Sequence, residues 1–316
     1  MGKNFKWWAS YLLLFVAMFF CVRFLVAKKD QLLLLCHIPW QNVLIVIVLT
    51  VIFVIVNAYS SAELTRSFGV RLTTKEWIGL SCVTMMLNQF LPAKSGFLPR
   101  AVYMKEKYNF LYSTFFAAYL GFYVFLFMTA SAMGIFFLYI TYFSKGILHF
   151  KLLMFFCSVL FLSFVFLVIC DIADRFKLNI KFLKDVLAGL TFFNRQWKLL
   201  LKLLAMNVLC TFILAARLYF IFGSFCKTPD FVGTLIIANV VFLSVVTSFT
   251  PGNLGIKEIV LTLCFTMIGA SVVEGAMVSL IDRVVTTLVF IFMGGVSWLL
   301  LFSGARKKDI GLAVDP

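Results

Sequence analysis

The chain has 316 residues, of which 63% are hydrophobic and only 13% charged. A soluble domain runs at roughly 45–50% apolar and about 25% charged residues, so a soluble globule and a disordered chain are both excluded. Lys and Arg outnumber Asp and Glu by 28 to 13. The basic residues sit between apolar runs and form no basic-aromatic groove motif, which points to inside-positive loops and anionic lipid head groups and away from nucleic acid.

At about 20 residues per span, the length leaves room for six to eight crossings and none for a soluble catalytic domain. Lys3 and Lys6 precede the first apolar run, residues 8–26. That run lacks a small-x-small cleavage site before Lys28 and is read as a retained first helix with a cytoplasmic N-terminus. The second run, 40–62, also spans, and a polar connector over 63–76 follows. The third run, 77–91, is short and stops at Pro92, with Lys94, Gly96, Pro99 and Arg100 close behind. Runs 110–143 and 152–170 span. Over 171–202, Phe176, Ile180, Leu183, Leu187 and Leu190 recur at helical spacing, with Lys177, Lys181, Lys184 and Asp185 between them. This predicts an amphipathic helix in the cytoplasmic interface, linking two halves. Run 203–222 spans, the stretch 231–268 is broken at Pro251-Gly252-Asn253-Leu254-Gly255, and a last run, 276–302, ends at Arg306-Lys307-Lys308.

Irregular backbone at membrane depth is tolerated only where protein or water lines it. The two short, interrupted stretches are therefore read as re-entrant hairpins. The fold class expected is an all-α polytopic membrane protein with six spanning helices plus two re-entrant hairpins, or eight spans. Its two pseudo-repeated halves are 1–170 and 203–316, joined by the linker 171–202. With six crossings, the inside loops hold nineteen basic residues and the outside loops five (Lys28, Lys29, Lys145, Lys151 and Lys227), as the positive-inside rule requires. Eight full spans would weaken that bias. Both termini are placed in the cytoplasm and the protein in the cell membrane.

The interruptions share the pattern F-x-P-x-x-x-G, at Phe90, Pro92 and Gly96 and again at Phe249, Pro251 and Gly255. Paired breaks at matching places in two halves point to a binding site, because a helix that stops in the membrane presents unpaired backbone groups and a dipole end. A pair of structural kinks is the alternative. Ionisable residues lie beside the breaks: Lys94 and Arg100 at the first, Lys257 and Glu258 at the second, and Asp282 and Arg283 early in the last run. Embedded charges are costly and usually paired or functional. Glu258 with Arg283 forms a plausible ion pair, and Lys94 with Arg100 could hold an anionic phosphate. Arg23 and Arg217 are read as snorkelling to the interface. Ala117 with Gly121, and Gly294-Gly295, are read as helix-packing positions.

No catalytic, cofactor or metal motif is present. The eight cysteines include no C-x-x-C, and His37 and His149 stand far from any cysteine pair, so they read as small buried side chains. A Cys36–Cys226 disulfide is conceivable if both face outside.

Residues 88–96, with Arg100, resemble the first signature of the lysylphosphatidylglycerol synthase transmembrane-region family, also called flippase-like domain proteins. Residues 250–258, followed by Asp282-Arg283, resemble its second. Phe97 stands where the family usually has glutamate, and Pro99 is unusual just before Arg100. The resemblance implies a membrane region that moves lipid between leaflets, without the cytosolic synthase domain of the two-part enzymes. The function expected is binding or translocation of an anionic or polyprenyl-linked lipid, with Lys94, Arg100 and Arg283 on the head group and Glu258 balancing Arg283. A membrane-embedded lipid-sugar or aminoacyl-lipid transferase, or its subunit, is the alternative, with Glu258, Asp282 or Glu106 as base. A scaffold without transport is the third. Expected partners are lipids with anionic head groups and a lipid-modifying synthase or glycosyltransferase.

Overall fold

The computed structural model describes residues 39–91, 94–175, 196–224, 230–244, 251–253, 255–267 and 270–310. The expected first span over 8–26, most of the interfacial helix over 171–202, Pro92, and the Cys36–Cys226 pairing lie outside these residues. Among the described residues the chain is all helical. The helices are α1 (Trp40–Ser67), α2 (Thr74–Phe90), α3 (Phe97–Tyr108), α4 (Tyr112–Lys145), α5 (Phe150–Arg175), α6 (Trp197–Phe222), α7 (Phe231–Leu243), α8 (Ile256–Met267) and α9 (Val272–Ile310). A single 3-10 turn, Pro251–Asn253, precedes α8.

Among the described residues, five segments are long and apolar enough to cross a membrane: α1, α4, Phe150–Ile169 of α5, α6, and Val272–Leu301 of α9. They correspond to five of the six expected crossings. The protein is thus a multi-pass α-helical membrane protein. α5 reaches Arg175 and α6 begins at Trp197, so helix enters the linker range from both sides. The basic stretch after residue 302 continues α9 as far as Ile310. Large apolar side chains face outward along the long helices, Phe161 and Leu162 on α5 and Phe292 and Leu300 on α9 among them. That is the pattern of a lipid-facing band, where burial in protein is not needed to remove apolar surface from water.

Side-chain pairs fix the direction of each helix. Asn42 donates to Ser224 Oγ at 2.8 Å, and Lys202 donates to Glu63 at 2.7 Å, so α1 and α6 run antiparallel. Lys145 at the end of α4 pairs with Asp230 at the start of α7. Gly79 lies against Leu301, and Gly294 against Met86 and Cys82, so α9 runs antiparallel to α2. A Cβ at Gly294 would come within 2.4 Å of the Met86 Cβ, which is why this crossing requires a glycine; Gly295 faces open space.

The short helices form two hairpins. α2 opens with a capping box, Thr73 and Glu76, in which the Thr73 N–H donates to Glu76 Oε2 at 2.8 Å. α3 then returns along α2: the Gly96 N–H donates to Asn88 Oδ1, Arg100 to Ser81 Oγ, and Tyr103, Lys107 and Tyr108 to the Glu76 carboxylate. α2 and α3 therefore leave and rejoin the same end of the molecule, the end that also carries Glu63 and Lys202. This geometry favours the hairpin over eight full crossings. In the second hairpin, α7 starts at the opposite end, beside Lys145, and α8 runs back from the turn against α9, with Gly275 packed on Thr262 and Phe265. The larger core cluster sits where α8 meets α6, α7 and α9, with Phe222 and Phe265 stacked at 4.9 Å. The two hairpins enter from opposite ends and meet inside.

Candidate functional site

The meeting point is close. A Cβ on Gly252 would lie 3.0 Å from the Gln89 carbonyl oxygen, so the second break rests on the last turn of α2. Gly252 also has φ +57°, a left-handed conformation that glycine adopts without penalty. Asn253 follows at φ 58° and donates from Nδ2 to the Ser244 carbonyl at 3.2 Å, just past the end of α7. Asn is the side chain that best tolerates this region while hydrogen-bonding locally. The Gly255 N–H donates to Glu258 Oε2 at 2.8 Å, which satisfies a free backbone donor at the start of α8. The residues of the second signature thus shape the turn, tie off one helix and begin the next.

Two ion-pair groups brace this break. Arg283 pairs through Nε with Glu258 and donates from Nη2 to the Gly252 carbonyl at 2.6 Å. One arginine therefore holds both the acid that caps α8 and the backbone of the turn. Asp282, with no exposure, is paired with two cations: Arg217 Nε lies 2.7 Å from Oδ1, and Lys257 donates from Nζ to Oδ2 at 2.8 Å. Arg217 is itself only 4% exposed and its guanidinium sits over the Phe53 ring. The snorkelling expected for Arg217 is therefore incorrect. The buried Asp282 gives it a partner inside the bundle, and reaching the interface would leave that carboxylate short of a cation.

At the first break, Gly96 packs so closely that a Cβ would come within 2.5 Å of Asn88 Oδ1 and 2.8 Å of backbone atoms at Asn88 and Thr84. Its φ is ordinary for a helix, so here the requirement is close approach. Lys94 adopts φ 53° and places Nζ 4.5 Å from the centre of the Tyr123 ring and 3.3 Å from its hydroxyl. Among the described residues it has no carboxylate partner. Arg100 lies one turn along the same aromatic stripe, over Tyr119, and is 2% exposed. Its Nη1 donates to Ser81, while Nε and Nη2 have no hydrogen-bond partner among the described residues. Lys94 and Arg100 are not brought to one point.

A cavity of about 210 Å³ lies between the two breaks. The first break contributes Asn88, Gln89, Leu91 and Lys94 to its lining, and the second Gly252, Asn253 and Lys257. Arg217 and Arg283 add two further cations, and Phe53, Phe242 and Phe290 are among the apolar walls. Of the six charged candidates, Lys94, Lys257 and Arg283 reach the cavity, Asp282 and Glu258 hold its cations from behind, and Arg100 stays outside. From sequence, Asn88 and Gln89 entered only as part of the first signature and Arg217 only as a snorkelling residue, none of them as lining a site. The amides of Asn88 and Gln89 carry no charge to mark them as embedded ions, and the inward orientation of Arg217 depends on Asp282, 65 positions away.

Outside the membrane-spanning segments, Glu76 closes the first hairpin. Burial works to raise its carboxyl, but donors from Lys107, the Thr73 N–H, Tyr103 and Tyr108 outweigh burial and hold it at about 2. Glu63, in the last turns of α1, pairs with Lys202 and Arg66. Among the described residues, no group of three His, Cys, Asp or Glu could hold a metal ion.

No curated protein and no solved structure matches the chain. The profile of one family, described as the lysylphosphatidylglycerol synthase TM region, matches residues 2–294. With that match running through both hairpins and the cavity between them, the chain belongs to the lysylphosphatidylglycerol synthase transmembrane-region family.

Proposed function

We propose that this protein binds the head group of an anionic or polyprenyl-linked lipid in the cavity between the two breaks and passes it from one leaflet to the other. The observation that carries this reading is the convergence of two hairpins, entering from opposite ends, on one cavity lined by Lys94, Arg217, Lys257 and Arg283. Interrupted helices of opposite approach are how membrane transporters present backbone and charge to a substrate at mid-depth. Lipid alone cannot solvate a charged head group there, whereas these side chains can.

The end bearing Glu63, Glu76 and Lys202 is assigned to the cytoplasm. The inside loops of this arrangement collect nineteen basic residues against five outside. Chemistry is the weaker reading: Glu258 and Asp282 are each committed to an ion pair, and Glu106 is exposed on α3, remote from the cavity. A general base must be within reach of the proton it takes.

Reconstitution in liposomes with fluorescently labelled lipids tests the proposal. Movement of an anionic lipid between leaflets well above protein-free vesicles is expected, and its loss in Arg283→Gln. Movement no faster than in empty vesicles, across phosphatidylglycerol, phosphatidic acid and polyprenyl phosphate, would refute it.

A further inference from the structure

The cavity is not electrically balanced. Four cations line it: Lys94, Arg217, Lys257 and Arg283. Among the described residues, two carboxylates answer them. Glu258 neutralises Arg283, and Asp282 is shared between Arg217 and Lys257. The formal charge left over is two positive, and it falls in two places. One excess charge is Lys94 at the first break, whose Nζ meets the face and hydroxyl of Tyr123 and, among the described residues, no carboxylate. The other belongs to the Arg217–Lys257 pair at the second break.

Uncompensated charge of this kind is costly inside a bundle and is normally answered by a partner or a ligand. A zwitterionic head group brings no net charge, and a phosphodiester brings one negative charge. A phosphomonoester brings about −1.5 to −2 at pH 7 and three strong acceptor oxygens. Those oxygens suit the donors at hand: the ammonium groups of Lys94 and Lys257 and the side-chain amides of Asn88 and Gln89. The surplus of cations repels the quaternary ammonium of a choline, which the faces of Phe53, Phe242 and Phe290 could otherwise hold.

We infer that the cavity selects a phosphomonoester head group, which bridges the two breaks by meeting Lys94 on one side and the Lys257–Arg217 pair on the other. This rests on the reading of the cavity as an anionic-lipid site and narrows it to one class of anion. A single dianion satisfies both excess charges at once, so one lipid binds per chain.

Titration of the detergent-purified protein, followed by native mass spectrometry, tests the inference with three lipids of identical acyl chains. These are phosphatidic acid, phosphatidylglycerol and phosphatidylcholine. Phosphatidic acid is expected to bind one per chain and about tenfold tighter than phosphatidylglycerol, with phosphatidylcholine at background. Lys94→Gln should reduce that preference to threefold or less, and Lys94→Arg should keep it. Displacement of phosphatidic acid by millimolar glycerol 3-phosphate would identify the phosphomonoester itself as sufficient. Resistance to displacement, with the preference intact, would identify the lipid as the source. Equal affinity for phosphatidic acid and phosphatidylglycerol would overturn the inference while leaving the anionic-lipid reading intact. So would two phosphatidylglycerols binding together as tightly as one phosphatidic acid. Absence of binding by any of the three would overturn both.

Discussion

Asp282→Asn removes the one carboxylate that serves two buried cations. At an effective dielectric of about 20, unit charges 2.7–2.8 Å apart attract by about 6 kcal/mol each. Desolvating each ion costs several kcal/mol in return, so the intact triad contributes little net stability. Breaking it is different. Arg217, 4% exposed, and Lys257, with a side chain 20% exposed, are left facing each other without an anion. The loss expected from such an orphaned charge is about 3–5 kcal/mol. Unfolding entropy of about 2.1 cal/mol/K per residue amounts to about 0.66 kcal/mol/K over this chain. The apparent melting temperature of the purified protein, followed by tryptophan fluorescence, should therefore fall by about 5–8 °C. Replacing all three members with apolar residues (Arg217→Met, Lys257→Met, Asp282→Leu) should recover most of the loss, because no charge remains to be orphaned. Arg100→Met is the control: Arg100 is buried without a carboxylate, so its removal should leave the melting temperature unchanged or raise it. An Asp282→Asn protein melting within 1 °C of wild type would refute the role given to the triad, as would a triple variant no better than the single one.

The Glu76 cluster ties stability to pH. Its carboxyl is held at about 2 in the folded protein against an ordinary value near 4.5. The contribution is therefore complete above pH 4.5 and is lost as the pH falls toward 2, by up to about 3 kcal/mol. Melting curves between pH 7 and 3 should show a steeper acid loss for wild type than for Glu76→Gln, and parallel curves would contradict this. At the α2–α9 crossing, Gly294→Ala should cost about 1–3 kcal/mol, since its Cβ would meet Met86 at 2.4 Å. Gly295→Ala, facing open space, should be neutral or stabilise the helix by up to about 1 kcal/mol. A thermal-shift comparison of the two variants reads the difference directly.

The architecture was legible because membrane spans announce themselves by length. Runs 40–62, 110–143, 152–170, 203–222 and 276–302 each correspond to a long apolar helix, and the two short runs became hairpins. The breaks were legible because Pro and Gly cluster there within a few positions, whereas isolated glycines such as Gly79 and Gly294 sit inside continuous helices. What could not be read was the inward chemistry. Hydropathy sees Arg217 as a flaw in an apolar run and cannot say which way it points. Its orientation is set by Asp282 on α9 and Thr50 on α1, brought beside it only by folding. Arg100 and Lys94, six positions apart on paper, separate because Lys94 lies in the turn while Arg100 lies inside α3, facing Ser81. The capping box at Thr73 and Glu76 carried a readable signal for the hairpin's start. Its second use, as the acceptor for Tyr103, Lys107 and Tyr108, depends on α3 returning.

Because the hairpins enter from opposite ends, their lengths set the cavity's electrical depth. α2 has 17 residues, about 26 Å of helix, and α7 has 13, about 20 Å. A charge held at the meeting point thus lies about four-tenths of the way through the membrane field from the Lys145 side. Moving one elementary charge across 100 mV involves about 2.3 kcal/mol. Delivering a doubly charged head group to that depth accordingly involves about 2 kcal/mol per 100 mV from the Lys145 side, and nearer 3 kcal/mol from the other. If the cavity takes an anion as proposed, its occupancy depends on voltage, with opposite sign for arrivals from the two leaflets.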